Sequence, residues 1–214
     1  MSDSLIGRAW QTLRQEGFRS FWFKLIEVLG YRRMFLLSRS LAKPIPAVEP
    51  KIPVTMSWLT TTESDDYIAF RPTTNMNQLA ERFERNERCL VARGDDGRIV
   101  GVMWAAIGRA LYLERVWPVE PGHVYLFDAY TDPAMRGHAV APALSAEMLR
   151  RYRAEGFQYA IRGTLPENKA ALKAHAKAGF QIIGRIGRVK FGPWRRDFQH
   201  SFPEAADRTE NGSV

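Results

Sequence analysis

Residues 132–149 read DPAMRGHAVAPALSAEML, and the reading of this stretch decides the fold. Pro133 opposes helix, Arg136 and Gly137 follow it, and an apolar helical pattern then begins. The chain is therefore expected to turn at Arg136 and Gly137 and to enter a helix over 141–155 that stops at Gly156. A helix N-terminus presents N–H groups without intrahelical partners and the positive end of the dipole, which suits phosphate oxygens. Gly137, Ala139 and Ala141 alternate with His138 and Val140, so a ligand can approach the backbone, and Arg136 adds a positive charge. Pro142 suits the first helical turn, where its missing N–H costs little. A pyrophosphate fits this pattern best; packing alone is the competing explanation for small residues at such a junction.

Outward from this turn, the chain alternates. HVYLFDAYT (123–131) reads as the strand leading into it. RCLVARGDDGRIVGVMWAAI (88–107) reads as two strands around a hairpin, because Asp-Gly supplies the positive φ of a tight turn. VTMSWLT (54–60) resembles a strand, TTESDDYIAF (61–70) starts as a helix, and NMNQLAERFERN (75–86) is amphipathic with Leu79, Ala80 and Phe83 on one face. ALYLERVW (110–117) and FQYAIRGTL (157–165) are extended, ENKAALKAHAKAG (167–179) is an alanine-rich helix closed by Gly179, and FQIIGRIGRVKF (180–191) returns to β. This order implies an α/β (α+β) architecture around a mixed central sheet.

The chain has 214 residues, 45% of them hydrophobic, enough for one domain with an appendage. Its net charge of +8 fits either an anionic partner or a solvated basic surface. Cys89 is the single cysteine, which excludes an intrachain disulfide, and Leu90 and Val91 beside it point to a buried thiol. The four histidines are scattered and no CxxC or HExxH occurs, so no metal site is expected. No signal peptide is evident, and a cytoplasmic protein is expected. Residues 1–48 carry eight Lys and Arg against three Asp and Glu, with Phe18, Phe21, Trp22, Leu25, Ile26 and Leu29 at helical spacing. Residues 1–43 therefore read as a basic amphipathic helical arm, packed on the main domain or a second subunit, or lying on the inner membrane surface. Residues 44–53 read as a proline-stiffened linker, 54–194 as the main domain and 195–214 as a polar tail.

The segment around Arg136, Ala139 and Ala141 resembles the acyl-CoA signature of the Gcn5-related N-acetyltransferase (GNAT) superfamily: Arg or Gln, two residues, Gly, one residue, Gly or Ala. Ala139 stands where the pattern has glycine. NKAALKAHAKAGF (168–180) is similar to the later motif of the same superfamily, an Asn followed by a helix and a closing Gly-Phe, here Asn168, Gly179 and Phe180. The resemblance covers roughly residues 52–194. It implies a mostly antiparallel sheet flanked by helices, acetyl-CoA or a related acyl-CoA as co-substrate without a metal, and direct attack of an amine on the thioester. It places the acyl group beside a splayed or bulged strand at Phe127–Thr131, so that Ala129, Tyr130 and Thr131 join 136–141 and Asn168 as coenzyme-binding residues.

In that superfamily a tyrosine commonly sits four residues before the Gly-Phe glycine, where it can protonate the departing thiolate; here the residue is His175. An imidazolium could donate that proton, and a packing histidine is the alternative. Asp128, and His123 at the start of its strand, are candidates for the base that keeps the amine neutral; a salt bridge is the alternative for Asp128. Strand alternation puts Asp128 on the face opposite Phe127 and Ala129. The acceptor is expected to be a small-molecule or envelope-related amine, shaped by residues 61–85 and 107–123. An idle acyl-CoA-binding module remains the second reading. No nucleic-acid-reading motif occurs, and a homodimer stays open.

Overall fold

The computed structural model describes residues 31–112, 115–191 and 193–202. They fall into two compact units: Leu37–Gly163 with Lys173–Gln181, and a smaller one made of residues 31–36, Thr164–Leu172 and the described residues from Ile182 to 202.

The larger unit is built on a mixed, mostly antiparallel sheet. Its strands β2 (Thr55–Trp58), β3 (Arg88–Arg93), β4 (Ile99–Ala106), β7 (His123–Thr131) and β8 (Tyr159–Thr164) lie in the order β8-β7-β4-β3-β2. Only β7 and β8 run parallel; the other neighbours are antiparallel. The β3–β4 hairpin turns through the GDDG segment with Gly97 at φ 77°, the conformation that glycine adopts without cost. Strands β5 (Arg109–Tyr112) and β6 (Arg115–Pro118) form a separate two-stranded ribbon, where the sequence suggests a single extended segment.

Every residue of β4 is buried, because helices cover both faces of the sheet. On one face lie α1 (Ser64–Phe70) and α2 (Met76–Glu84), whose Tyr67, Leu79 and Phe83 pack with Val102 and Trp104. Helix α2 begins with a reciprocal cap: Asn75 Oδ1 accepts from the Gln78 amide at 2.9 Å and Gln78 Oε1 from the Asn75 amide at 3.1 Å. On the other face α3 (Val140–Ala154) packs against β3, β4 and β7. Gly101 makes that approach close: a Cβ there would sit 2.8 Å from Val140 Cγ1 and 3.0 Å from Leu144 Cδ1. No helix among the described residues is long and apolar enough to cross a membrane.

In the smaller unit β9 (Gln181–Phe191) pairs antiparallel with β10 (Trp194–Ser201). Tyr31 stacks on Phe198 at 6.0 Å, and Arg188 Nε meets Asp197 Oδ1 at 2.7 Å. The polar composition after Trp194 suggests a frayed tail, yet 194–201 is a strand, since alternate backbone groups of β9 are available to it.

A second correction concerns the arm. Residues 31–40 form strand β1 (Tyr31–Ser40) rather than helix. Its neighbours in strand order are β8 and β9. Both partners are distant in sequence, so local periodicity cannot show the pairing. Arg32, Arg33, Arg39 and Lys43, half of the basic residues counted over 1–48, lie in or after this strand, and Arg39 is buried. The charge behind the membrane reading therefore does not decorate one helix. The expected helix over the rest of the arm, and the tail beyond 202, lie outside the described residues.

Substituting Gly101→Ala should lower the unfolding free energy by about 1–3 kcal/mol, read from the urea midpoint, because Val140 fixes the start of α3 against β4.

Candidate active site

Strand β7 breaks its register with β4. Val102 pairs with Tyr130 and Trp104 with Phe127, so Asp128 and Ala129 together oppose Met103. This is a β-bulge, and Asp128 carries its left-handed conformation at φ 45°. The bulge overturns the expected alternation: Asp128 lies on the side of Phe127, not opposite it. Its carboxylate meets Arg71 Nη2 at 3.2 Å and Arg82 Nη1 at 2.8 Å. Each guanidinium in turn lies over an aromatic ring, Arg71 over Tyr130 at 4.3 Å and Arg82 over Trp104 at 4.6 Å. Trp104 Nε1 donates to Tyr67 Oη at 2.9 Å, which anchors the wall behind them. With each oxygen facing a cation, the carboxylate is arranged to hold the bulge in place. His123 lies five residues earlier, roughly 16 Å along the strand, stacked edge-on to Tyr159 at 5.0 Å. The structure does not bring it to the bulge.

The parallel ladder between β7 and β8 ends at Leu126 and Arg162. Immediately beyond it the bulge begins, so residues 127–131 keep ladder pairing to β4 alone and present backbone groups on their other side. The chain then forms a short turn in which Asp132 Oδ1 accepts from the Ala134 amide at 2.9 Å. Gly137 follows at φ 84° and Ala139, the N-cap of α3, at φ 61°. Arg136 and Gly137 are exposed, and a Cβ at Gly137 would meet nothing within 4 Å. Lys51 N donates to His138 O at 2.9 Å, tying the proline-rich segment to this loop. His138 Nδ1 is buried without a hydrogen-bond partner among the described residues. Open space over small residues, unpaired helix-start amides and an orphaned buried nitrogen fit a phosphate-bearing ligand.

On the α3 face, beneath the bulge, lies a group that the sequence reading missed. Arg162 of β8 is buried, its Nη1 is 2.9 Å from His175 Nδ1, and its Nη2 donates to Met103 Sδ at 3.8 Å. His175 belongs to α4 (Lys169–Lys177), which is followed by Gly179 at φ 81°. That left-handed backbone favours the glycine of the closing Gly-Phe, and the Arg39 guanidinium lies against it. Burial first, and then the charge of Arg162, bring the His175 imidazolium down to about 4 from the ordinary 6.5. Because guanidinium nitrogens only donate, Nδ1 must accept and the ring proton sits on Nε2. His175 is therefore neutral near pH 7, and the imidazolium acid expected from the sequence is disfavoured there. Asn168 caps α4: its Oδ1 accepts from the Ala171 amide at 3.0 Å.

The profile of the acetyltransferase (GNAT) family matches residues 56–180, more than half of the chain. The chain belongs to the GNAT acetyltransferase family. A GNAT-family N-acetyltransferase from Sphaerobacter thermophilus superposes with a TM-score of 0.53 at 19% identity, covering 85% of this chain and 57% of that one. A GNAT-family acetyltransferase from Novosphingobium aromaticivorans gives 0.53 at 18% identity, covering 74% of this chain and 65% of that one. The chain thus spans less than two thirds of either neighbour. The aminoglycoside acetyltransferase AAC(6')-Iy, solved with a bisubstrate analogue, gives 0.50 at 19% identity, covering 67% of this chain and 97% of that one. A search of curated proteins finds no match.

Within this GNAT fold the structure groups Asp128, Ala129, Tyr130 and Thr131 at the bulge and Arg136, Gly137, His138, Ala139, Val140 and Ala141 around the start of α3. Arg71, Arg82 and Arg162 went unread in the sequence. The available signal for Arg162 was an arginine in an otherwise apolar or small-residue strand, YAIRGT. Cys89 is buried, and desolvation raises its thiol well above the ordinary value, so it is no nucleophile.

Two outcomes follow from these environments. Ala139→Gly should stabilise the unliganded protein by up to about 1 kcal/mol in chemical denaturation, since a left-handed residue with a Cβ is strained. Between about pH 6.5 and 4 the unfolded chain takes up a proton that folded His175 does not. Stability should therefore fall as pH drops through that window, and His175→Gln should flatten that part of the profile.

Proposed function

We propose that the protein is an acyl-CoA-dependent N-acetyltransferase that passes an acetyl or other short acyl group directly to an amine. The observation that supports this is the succession along one stretch of chain of a strand bulged at Asp128 and a helix entered through left-handed Ala139. In this reading the amides around 136–141 hold the diphosphate of the coenzyme, with Arg136 adding charge. Backbone N–H groups of 127–131 hold the pantetheine arm and the thioester carbonyl oxygen, where negative charge develops. The amine lone pair attacks the carbonyl carbon, the C–S bond breaks with its electrons passing to sulfur, and the surplus proton of the amine passes to solvent. Asp128, steadied by Arg71 and Arg82, keeps the bulge in the conformation that aims those N–H groups.

The acceptor side carries two guanidiniums against the single carboxylate of Asp128, each still partly accessible. That excess of positive charge favours an amine bearing a carboxylate or phosphate and disfavours a polycation such as an aminoglycoside. Following free-thiol release from acetyl-CoA with acidic amines, neutral amines and aminoglycosides tests this. Acidic amines should turn over fastest, and Asp128→Asn, which loosens the bulge, should cost about 10²-fold in kcat. Coenzyme binding with no turnover of any amine would instead leave an idle acyl-CoA-binding module.

A further inference from the structure

The smaller unit is strongly basic. Its described residues carry eight Lys and Arg against two Asp and Glu, an excess of six in a chain whose net charge is +8. Both acids are already held, Glu167 by Arg33 at 2.9 Å and Asp197 by Arg188 at 2.7 Å and Arg195 at 3.5 Å. Three of the cations gather at one end of the β9–β10 hairpin. The ladder closes on Phe191 and Trp194, joined through Gly192 and Pro193, and Trp194 is 54% exposed. Lys190 stands directly opposite Arg195, and Arg196 follows on the face of Phe198 and Trp194's own neighbours across the ladder; all three cations are exposed. Like charges directly opposite each other destabilise a strand pair, so the fold does not ask for this pairing. β10 is the last strand of the sheet, and charge on an edge strand discourages pairing with another copy. That protection accounts for cations, but not for a large exposed indole among them.

We propose that this end of the hairpin docks on an anionic lipid surface, with the Trp194 ring at the level of the headgroups and Lys190, Arg195 and Arg196 against lipid phosphates. Trp has an apolar body and one N–H donor, which suits a boundary that is apolar on one side and wet on the other. Each Lys or Arg close to an anionic bilayer is drawn by its surface potential, and three at one point act together. The arrangement fits a layer of headgroups better than a polynucleotide. A strand of phosphates is held by cations spaced along a groove, whereas these lie within two residues of the last ladder pair. The chain that enters beside the hairpin has the same composition. Tyr31 stacks on Phe198 at 6.0 Å, and the sequence leading into it, FRSFWFKLIEVLG (18–30), is again aromatic and basic.

This inference does not rest on coenzyme binding. The full-length protein should cosediment with vesicles of phosphatidylcholine and phosphatidylglycerol and not with phosphatidylcholine alone, and the bound fraction should fall as salt shortens the reach of the charges. Lys190→Gln, Arg195→Gln and Arg196→Gln combined should weaken that partition about 10²-fold, roughly fivefold per charge. The urea midpoint of the combined variant should not fall, because the ladder loses a pair of facing like charges. Trp194→Ser leaves the charges in place and should weaken vesicle binding while keeping its salt dependence; it serves equally where the neutralised edge makes the combined variant aggregate. Equal sedimentation with neutral and anionic vesicles overturns the proposal, as does anionic-vesicle binding that Trp194→Ser and the combined variant both retain. Tighter binding to a single-stranded RNA than to the anionic vesicles, lost in the same variants, would make this surface a nucleic-acid site and overturn it too.

Discussion

Strand β7 has to serve two neighbours that run in opposite directions relative to it, and it does so by changing partners along its length. Up to Leu126 it pairs with both β4 and β8; from Phe127 onward it pairs with β4 only. The bulge at Asp128 and Ala129 sits where that change occurs. Two residues against one bend the strand, and the backbone turned outward there is the surface on which acyl transfer is proposed to take place. The bend needs a residue in the left-handed region, and Asp128 takes it while two arginines from α1 and α2 hold its carboxylate. Helices on one face of the sheet are thus tied to the geometry of the strand that the proposed chemistry uses.

The opposite face shows a different balance of charge. Near Asp128 cations and anion meet across short distances beside aromatic rings. At Arg162 a guanidinium is buried with an imidazole in place of an acid. The first arrangement stabilises a conformation; in the second the guanidinium meets an imidazole, a thioether and the face of Phe180. Both lie within a few residues of Met103 and the bulge, one on each side of the sheet.

The backbone at Ala139 has a comparable logic. A residue with a Cβ at φ 61° gives up stability at the entry to α3, while Val140 immediately locks into the groove left by Gly101. The loop is held from below by that packing and from the side by the Lys51 amide on His138 O. Its upper surface is exposed at Arg136 and Gly137, where the diphosphate is proposed to sit.

The local elements were legible in the sequence, and so was the turn at which coenzyme binding is proposed. Alternation, the Asp-Gly turn and the capping residues are properties of neighbours in the chain, so the β3–β4 hairpin and helices α1–α4 were legible. Arg136–Ala141 was readable because small residues, an arginine and a helix start occur within one short run. Only the tertiary structure decided the rest. β1 is a strand because partners distant in sequence lie beside it, and β10 because β9 folds back against it. Asp128 faces α1 and α2 because of a bulge whose second strand lies more than twenty residues away. The protonation of His175 is set by its burial and then by Arg162, thirteen residues back and on another element. Charge, burial and pairing depend on what surrounds a side chain in space, and periodicity along the chain carries no record of that.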